Sequence, residues 1–284
     1  MSKWGPRLVG LVGVLRPHNC LAAALLVFLG AHLGGGSIYA NIWQLLRAAF
    51  VVWLVVGACN VINDIRDITA DGLNNPQRPI PSGRVTLRVA TRLAIICCTI
   101  ALTIVWWLGP RLASIAVVLL ALGIGYSFGI KGTVLMGNAL VGFLASSPLV
   151  YGALVAAQLT AQTAVAALLV FVFVVLREIL GTISDREGDC LAGLRTITTV
   201  YGFPAALRML QFLGLLFVVA SFVPWLLHLA SNQYMLVMLI CSTLPTVGII
   251  SWLSVRPNKE SIQLSLKMTK WIWFTSMLPL ILLR

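Results

Sequence analysis

Seven of the chain's eight carboxylates fall in two short clusters, Asp64, Asp67 and Asp71 in one and Glu178, Asp185, Glu187 and Asp189 in the other, with only Glu260 outside them. Asp64, Asp67 and Asp71 step by three and four, and Asp185 and Asp189 by four, a spacing that puts each set along one face of a helix. Like charges stacked in this way repel. A bound divalent cation turns the repulsion into coordination, and carboxylates are the hard oxygen donors that Mg2+ takes, with waters and phosphate oxygens completing its shell. Directly after the first cluster runs Asn74-Asn75-Pro76-Gln77-Arg78-Pro79-Ile80-Pro81-Ser82-Gly83-Arg84, which cannot continue a helix through its prolines and glycine. It carries Arg78 and Arg84 beside the acids, and a guanidinium fork grips phosphate oxygens at two points. Acids, a hard cation and arginines together describe a diphosphate site. The plainer alternative is that Arg66, Arg177 and Arg186 merely neutralise their neighbours; it leaves seven carboxylates beside apolar sequence at high cost.

The elements that must position these residues are membrane helices. The chain is 60% hydrophobic and 10% charged over 284 residues, with a mean hydropathy of +0.98, a composition that excludes an ordinary soluble domain. Apolar windows of about 20 residues predict nine spans, over 16–34, 42–62, 87–108, 112–128, 134–156, 163–180, 204–229, 234–254 and 266–283. Threaded alternately, they leave Arg47, Arg111 and Arg284 on one side and the other 17 of the 20 basic residues on the opposite side, which makes that side and the amino terminus cytoplasmic. The first apolar run, broken by Pro6, Arg16 and His18, is kept as a span rather than read as a leader. Both acid clusters then lie on the cytoplasmic side and can share one site. The net charge of +12 is spread over many loops without a nucleic-acid motif; topology and anionic ligands account for it. The six cysteines form no C-x-x-C pair and read as buried thiols. Gly125-x-x-x-Gly129 has the spacing of a close helix contact. A repeat of about 118 residues is visible as Asp67-x-x-x-Asp71 with Leu73 and Arg78, against Asp185-x-x-x-Asp189 with Leu191 and Arg195, inside what is otherwise one membrane-embedded domain, 1–284.

Asn63-Asp64-Ile65-Arg66-Asp67-Ile68-Thr69-Ala70-Asp71 reads as NDxxDxxxD, Arg78-Pro79-Ile80-Pro81-Ser82-Gly83 as RPxPSG, and Asp185-Arg186-Glu187-Gly188-Asp189 as DxxxD. With these motifs the whole chain resembles the UbiA superfamily of intramembrane prenyltransferases. Tyr126-Ser127-Phe128-Gly129-Ile130-Lys131 and Asn138 are similar to the family's Tyr/Lys segment, and Arg16-Pro17-His18-Asn19 with Arg177-Glu178-Ile179 resembles members that act on geranylgeranylglyceryl phosphate. The resemblance implies an all-α bundle of nine transmembrane helices around a central cavity open to the cytoplasmic side. It implies Mg2+ on Asp64, Asp67, Asp71, Asp185 and Asp189, and diphosphate on Asn63, Arg78, Arg84, Lys131 and Arg177. Asp67, Asp185, Lys131 and Tyr126 become the catalytic residues. The expected reaction ionises an allylic isoprenyl diphosphate, geranylgeranyl or similar, and passes the prenyl group to a lipid or aromatic acceptor among membrane lipids. One position departs from the pattern: Thr182 stands where many relatives carry an aspartate, and Gly181 where a lysine often precedes it. That departure keeps open a terpene cyclase built on the same ionisation, and a cation-coupled transporter is a third possibility.

Overall fold

The computed structural model describes residues 4–35, 42–156 and 158–283; Lys3 and Arg284, which entered the charge count, lie outside them. Among the described residues the chain is helical, with a single isolated β-bridge between Ala230 and Leu283. Helix α1 (Trp4–Leu15) meets α2 (Pro17–Leu33) at Arg16, whose left-handed φ of 52° turns the chain, and the two are bent by 44°. The long α3 (Ile42–Arg66) is followed by the short α4 (Ile68–Asn74). The Pro-rich loop leads to α5 (Leu87–Val105), and α6 (Pro110–Phe128) and α7 (Met136–Ala156) follow. Then α8 (Ala161–Ser184) is followed by the short α9 (Arg186–Leu191). Helix α10 (Ile197–Leu226) is kinked where Gly202, at φ 77°, precedes Pro204. A π-turn at Leu239–Thr243 joins α11 (Asn232–Met238) to α12 (Leu244–Val255), and α13 (Lys259–Thr275) and α14 (Met277–Leu280) close the chain. Side chains of Thr86, Thr160, Thr196, Ser231 and Asn258 cap α5, α8, α10, α11 and α13 by accepting a first-turn N–H, satisfying donors that lipid could not.

Among the described residues seven helices are long and apolar enough to cross a bilayer, or eight if the bent α1–α2 pair is one span, so this is a multi-pass integral membrane protein. The expected ninth span at 266–283 takes another form. Its helix starts earlier, at Lys259, includes Lys259, Glu260, Lys267 and Lys270, and stops at Thr275, and those four charges keep α13 below the apolarity of the rest.

The tightest helix contact is not at the predicted Gly125-x-x-x-Gly129, where a β-carbon on either glycine would meet nothing within 4 Å. It joins α2 to α7: a β-carbon on Gly30 would overlap the Leu149 carbonyl, and one on Gly152 the Val27 carbonyl. The missing side chains let the two backbones touch. Helix α3 packs on α2, α5 and α6, and α8 on α7, α10 and α13, while the two short helices α4 and α9 pack on each other.

That last contact matters for the acids. Asp67 (φ −88°, ψ 6°) joins α3 to α4 and Asp185 (φ −94°, ψ 8°) joins α8 to α9, with almost identical backbones 118 residues apart. Helical bonding continues through each junction, Asp71 N–H to the Asp67 carbonyl at 2.8 Å and Asp189 N–H to the Asp185 carbonyl at 2.9 Å. Each Asp pair therefore keeps a common face, as the spacing predicts. Asp64, one turn back inside α3, meets Arg16 and Arg78.

Candidate functional site

Between α2, α3, α6, α7, α8 and α13 lies a cavity of about 530 Å3, within the range of small-molecule sites. Its polar mouth is lined by Asp67, Asp71, Arg78, Lys131, Asp185 and Asp189, and its apolar end by Val51, Val52, Leu119, Pro148 and Tyr151. The lining stretch of α3 alone, Val51 to Asp67, is about 24 Å long at 1.5 Å per residue. The cavity is thus elongated, with acids and cations at one end and apolar side chains at the other.

The mouth is built by spending no acid on local structure. Asp67 and Asp185 are the N-caps of α4 and α9, yet neither side chain makes the usual capping bond. At α9 the duty passes to Asn74: its Oδ1 accepts from Gly188 N–H at 3.1 Å and its Nδ2 donates to the Asp185 carbonyl at 3.0 Å. One amide thereby ties the first acid segment to the second and caps α9 from outside, leaving the Asp185 carboxylate free. A β-carbon on Gly188 would run into that amide.

The other acids are held by cations brought from a distance in sequence. Lys131 pairs with Asp67, and Asn63 Nδ2 donates to the same carboxylate at 2.7 Å. Both Asp71 oxygens accept from Arg78 Nη1, at 2.6 and 2.7 Å. Asp64 is buried against Arg16, with Arg78 at 3.6 Å, and lies behind the cavity wall rather than on it. Of the neighbours that could have neutralised the clusters, Arg66 stacks over the Phe128 ring at 4.8 Å, while Arg177 pairs with Glu178 of the second cluster at 3.7 Å.

Burial raises the Asp71 carboxyl above its usual range, with Arg78 opposing. It raises Asp185 likewise against Arg78 and Lys131, and pushes Asp189 up to about 6 against Lys131. Carboxyls whose charge is this poorly compensated gain from a hard cation. Among the described residues no three of His, Cys, Asp and Glu form a ready-made metal cage. That suits Mg2+, which is generally held by one or two carboxylates with waters and substrate phosphates. A further sign of fit is Asn63 Oδ1, a buried amide oxygen beside Asp67 with no hydrogen-bond partner, free for a cation or its water.

Of the sequence-derived site residues, Asn63, Asp67, Asp71, Arg78, Tyr126, Lys131, Arg177, Asp185 and Asp189 all line the cavity. Arg84 does not: exposed, it bonds the Gln77 carbonyl and, at 3.0 Å, Ser82 Oγ, bracing the loop that presents Arg78. Thr182 also lines the wall, its Oγ1 donating to the Ile179 carbonyl and bonded to Thr198 Oγ1, both at 2.8 Å. Four residues were given no role in the site from sequence, Arg16 and His18 entering only through the resemblance of Arg16-Pro17-His18-Asn19. Arg16 and His18 carried no ligand spacing, Asn74 was one polar residue among several in its loop, and Lys270 was counted only as a topological charge.

Comparison with known proteins gives this arrangement its context. The UbiA prenyltransferase family model matches residues 20–274. The digeranylgeranylglyceryl phosphate synthase of Methanopyrus kandleri is 34% identical over 247 residues, covering 84% of this chain and 88% of that protein. The protein of the same name from Natronomonas pharaonis is 34% identical over 235 residues, covering 82% and 83%. A solved structure of digeranylgeranylglyceryl phosphate synthase superposes with a TM-score of 0.73 at 28% identity, covering 97% of each chain. A UbiA homologue from Archaeoglobus fulgidus bound to GPP and Mg2+ shares the fold, with a TM-score of 0.68 at 16% identity over 95% of this chain and 99% of that one.

Proposed function

We propose that this chain, which belongs to the UbiA prenyltransferase family and is a membrane prenyltransferase, transfers the prenyl group of geranylgeranyl diphosphate to the hydroxyl of a glycerol-phosphate lipid. The observation that carries the reading is one cavity with four aspartates, Arg78 and Lys131 at one end and apolar side chains toward the other, about 24 Å along α3 in all. The isoprenoid tail fills the apolar end, which puts the diphosphate among the charges. Asp67, Asp71, Asp185 and Asp189, with Asn63 Oδ1, would hold Mg2+, which would neutralise the diphosphate and make it a better leaving group. Arg78 and Lys131 turn from their aspartates to the phosphate oxygens, so that two cations already in place meet the negative charge as the C–O bond breaks.

The bonding electrons leave with the diphosphate, and the allylic cation left behind faces the rings of Tyr126, Trp273 and Phe274 on the cavity wall, whose faces attract positive charge. Apolar walls keep water from capturing it. The acceptor oxygen forms the new C–O bond, and its proton passes to the released diphosphate. The glycerol-phosphate acceptor is supported by the names of the relatives at 34% identity. The same reading puts the mouth on the cytoplasmic side, with α13 and α14 completing nine crossings, as the split of basic residues requires.

The test is to incubate purified protein with Mg2+ and geranylgeranyl diphosphate, with and without geranylgeranylglyceryl phosphate, and to follow diphosphate and products by mass spectrometry. Acceptor-dependent release with a doubly prenylated lipid is expected, and Asp67→Ala or Asp185→Ala should abolish it while the detergent-solubilised protein stays folded. Release without acceptor, yielding a cyclic hydrocarbon or alcohol, would replace transfer by cyclisation.

A further inference from the structure

The cations of the cavity sort into two sets. Arg78 and Lys131 act on Asp67, Asp71, Asp185 and Asp189, and those acids answer them. Arg177, Lys270 and His18 line another part of the wall, contributed by α8, α13 and the start of α2. Their strongest electrostatic neighbours are one another and Arg16: the charges that act most on Lys270 are Arg177, Arg16, Arg78 and Lys267, and those on His18 are Lys270, Arg16 and Arg177. Among the described residues the one carboxylate paired with this set is Glu178, at 3.7 Å from Arg177, and no carboxylate pairs with Lys270.

Their placement on the helices makes the second set hard to explain as surface charge. Lys270 stands on a face of α13 whose other cavity residues are Leu266, Trp273 and Phe274, about 16 Å from the helix start at Lys259 by the helical rise. A lysine that only needed water would sit at the end of the helix. Arg177 lies about 12 Å along α8 from Asp185, toward the apolar end. At the start of α2, Arg16 makes no side-chain cap and Pro17 has no N–H, so the positive end of a 17-residue helix adds to the same field. Lys270 and His18 are exposed to the cavity and Arg177 is half-buried, and an anion placed between them relieves their mutual repulsion.

We propose that Arg177, Lys270 and His18 form a second anion subsite, distinct from the diphosphate site, which holds the phosphate of the acceptor lipid; this rests on the glycerol-phosphate reading above. A donor diphosphate and an acceptor phosphate must come within a few atoms of each other for transfer, and in a cavity of low dielectric their repulsion would drive one of them out. Separate counter-ions solve this. Arg177, assigned to the diphosphate on the family resemblance, belongs to the acceptor in this arrangement.

The test compares geranylgeranylglyceryl phosphate with its dephosphorylated alcohol as acceptors for the wild type, Lys270→Met, Arg177→Met and Lys270→Arg, with geranylgeranyl diphosphate as donor. The wild type is expected to favour the phosphorylated acceptor strongly. Each Met variant should lower kcat/KM for it by about ten- to a hundredfold, as for loss of a charge-assisted contact. The alcohol and the KM for donor should change by less than about threefold on the same scale, while Lys270→Arg retains most of the preference. If the wild type does not prenylate the phosphorylated acceptor, the functional reading falls and the subsite with it. If the wild type does so but the Met variants raise the donor KM, or lose both acceptors equally, only the subsite is overturned. Unchanged elution and melting in detergent separate either result from misfolding.

Discussion

Replacing Asn74 by alanine should damage catalysis although Asn74 is neither an acid nor a base. Its amide makes two side-chain to backbone hydrogen bonds, to the Asp185 carbonyl and from Gly188 N–H. Gly188 is the third residue of α9, so its N–H has no partner within the helix, and Asp185, the residue that would normally cap it, keeps its side chain out of that role. At about 0.5–1.5 kcal/mol net for each bond, Asn74→Ala removes about 1–3 kcal/mol of restraint on the angle between α4 and α9. Felt in full in the transition state, that lowers kcat/KM roughly 5- to 150-fold, mostly as a higher Mg2+ requirement, because the acids from the two segments no longer converge. The assay is diphosphate release against Mg2+ concentration at saturating donor, with a melting curve in detergent alongside. Gly188→Ala supplies a second arm, since its β-carbon would displace the same amide. The two substitutions break one contact, so the double variant should be little worse than the worse single one. Activity of Asn74→Ala within twofold of wild type, or losses that multiply in the double variant, would refute the clamp.

Mg2+ must displace the proton that burial holds on Asp189 up to about pH 6, so half-saturating Mg2+ should rise up to about tenfold per pH unit below 6 and level off above it. In the metal-free protein the raised value means that ionising this group disfavours the fold: its contribution to stability is largest below the unfolded value near 3.8 and is lost as pH rises to about 6. Stabilisation by Mg2+, read from melting temperatures, should therefore grow with pH across that window, and a flat profile would mean that Asp189 is not a ligand. Gly152→Ala should cost about 1–3 kcal/mol by forcing α7 off α2, visible as a lower melting temperature, while Gly125→Ala, whose added carbon meets nothing within 4 Å, should leave it unchanged.

The membrane helices were legible because bilayer thickness fixes the length of an apolar run. The acids were legible because charge in such a chain is rare enough to be conspicuous. Local spacing correctly joined Asp67 to Asp71 and Asp185 to Asp189, since helical bonding runs through both junctions. Asp64 is off the lining because it sits before the break at Asp67, where φ and ψ leave the helical region, and its carboxylate is met by Arg16 and Arg78. Arg84 lies off the cavity lining as well. In a loop of prolines, proximity in sequence does not set direction, and Ser82 and the Gln77 carbonyl hold the guanidinium outside. What sequence could not supply were the partners from afar: Arg16, Asn74, Lys131 on Asp67, and Lys270 each meet the site through tertiary packing, with no local pattern to announce it.

Thr182 shows why the second segment carries fewer acids than the first. Adding the 118-residue offset carries Asp64 onto Thr182, as it carries Asp67 onto Asp185 and Asp71 onto Asp189. Asp64 is tolerated in its buried place because Arg16 and Arg78 meet it. The same offset carries Arg16 onto Val134, and Arg195, the counterpart of Arg78 one position off that register, makes no ion pair with the second segment among the described residues, so neither cation is matched there and a hydroxyl pair with Thr198 takes their place. On this argument Asp64 and Thr182 are structural counterparts rather than a ligand and its absence. Thr182→Asp should therefore not improve Mg2+ binding. It should bury an unpaired carboxylate at a cost of about 3 kcal/mol, read as a lower melting temperature with the half-saturating Mg2+ unchanged. A variant that melted normally and needed less Mg2+ would show instead that the position faces the metal, and that the threonine had removed a ligand.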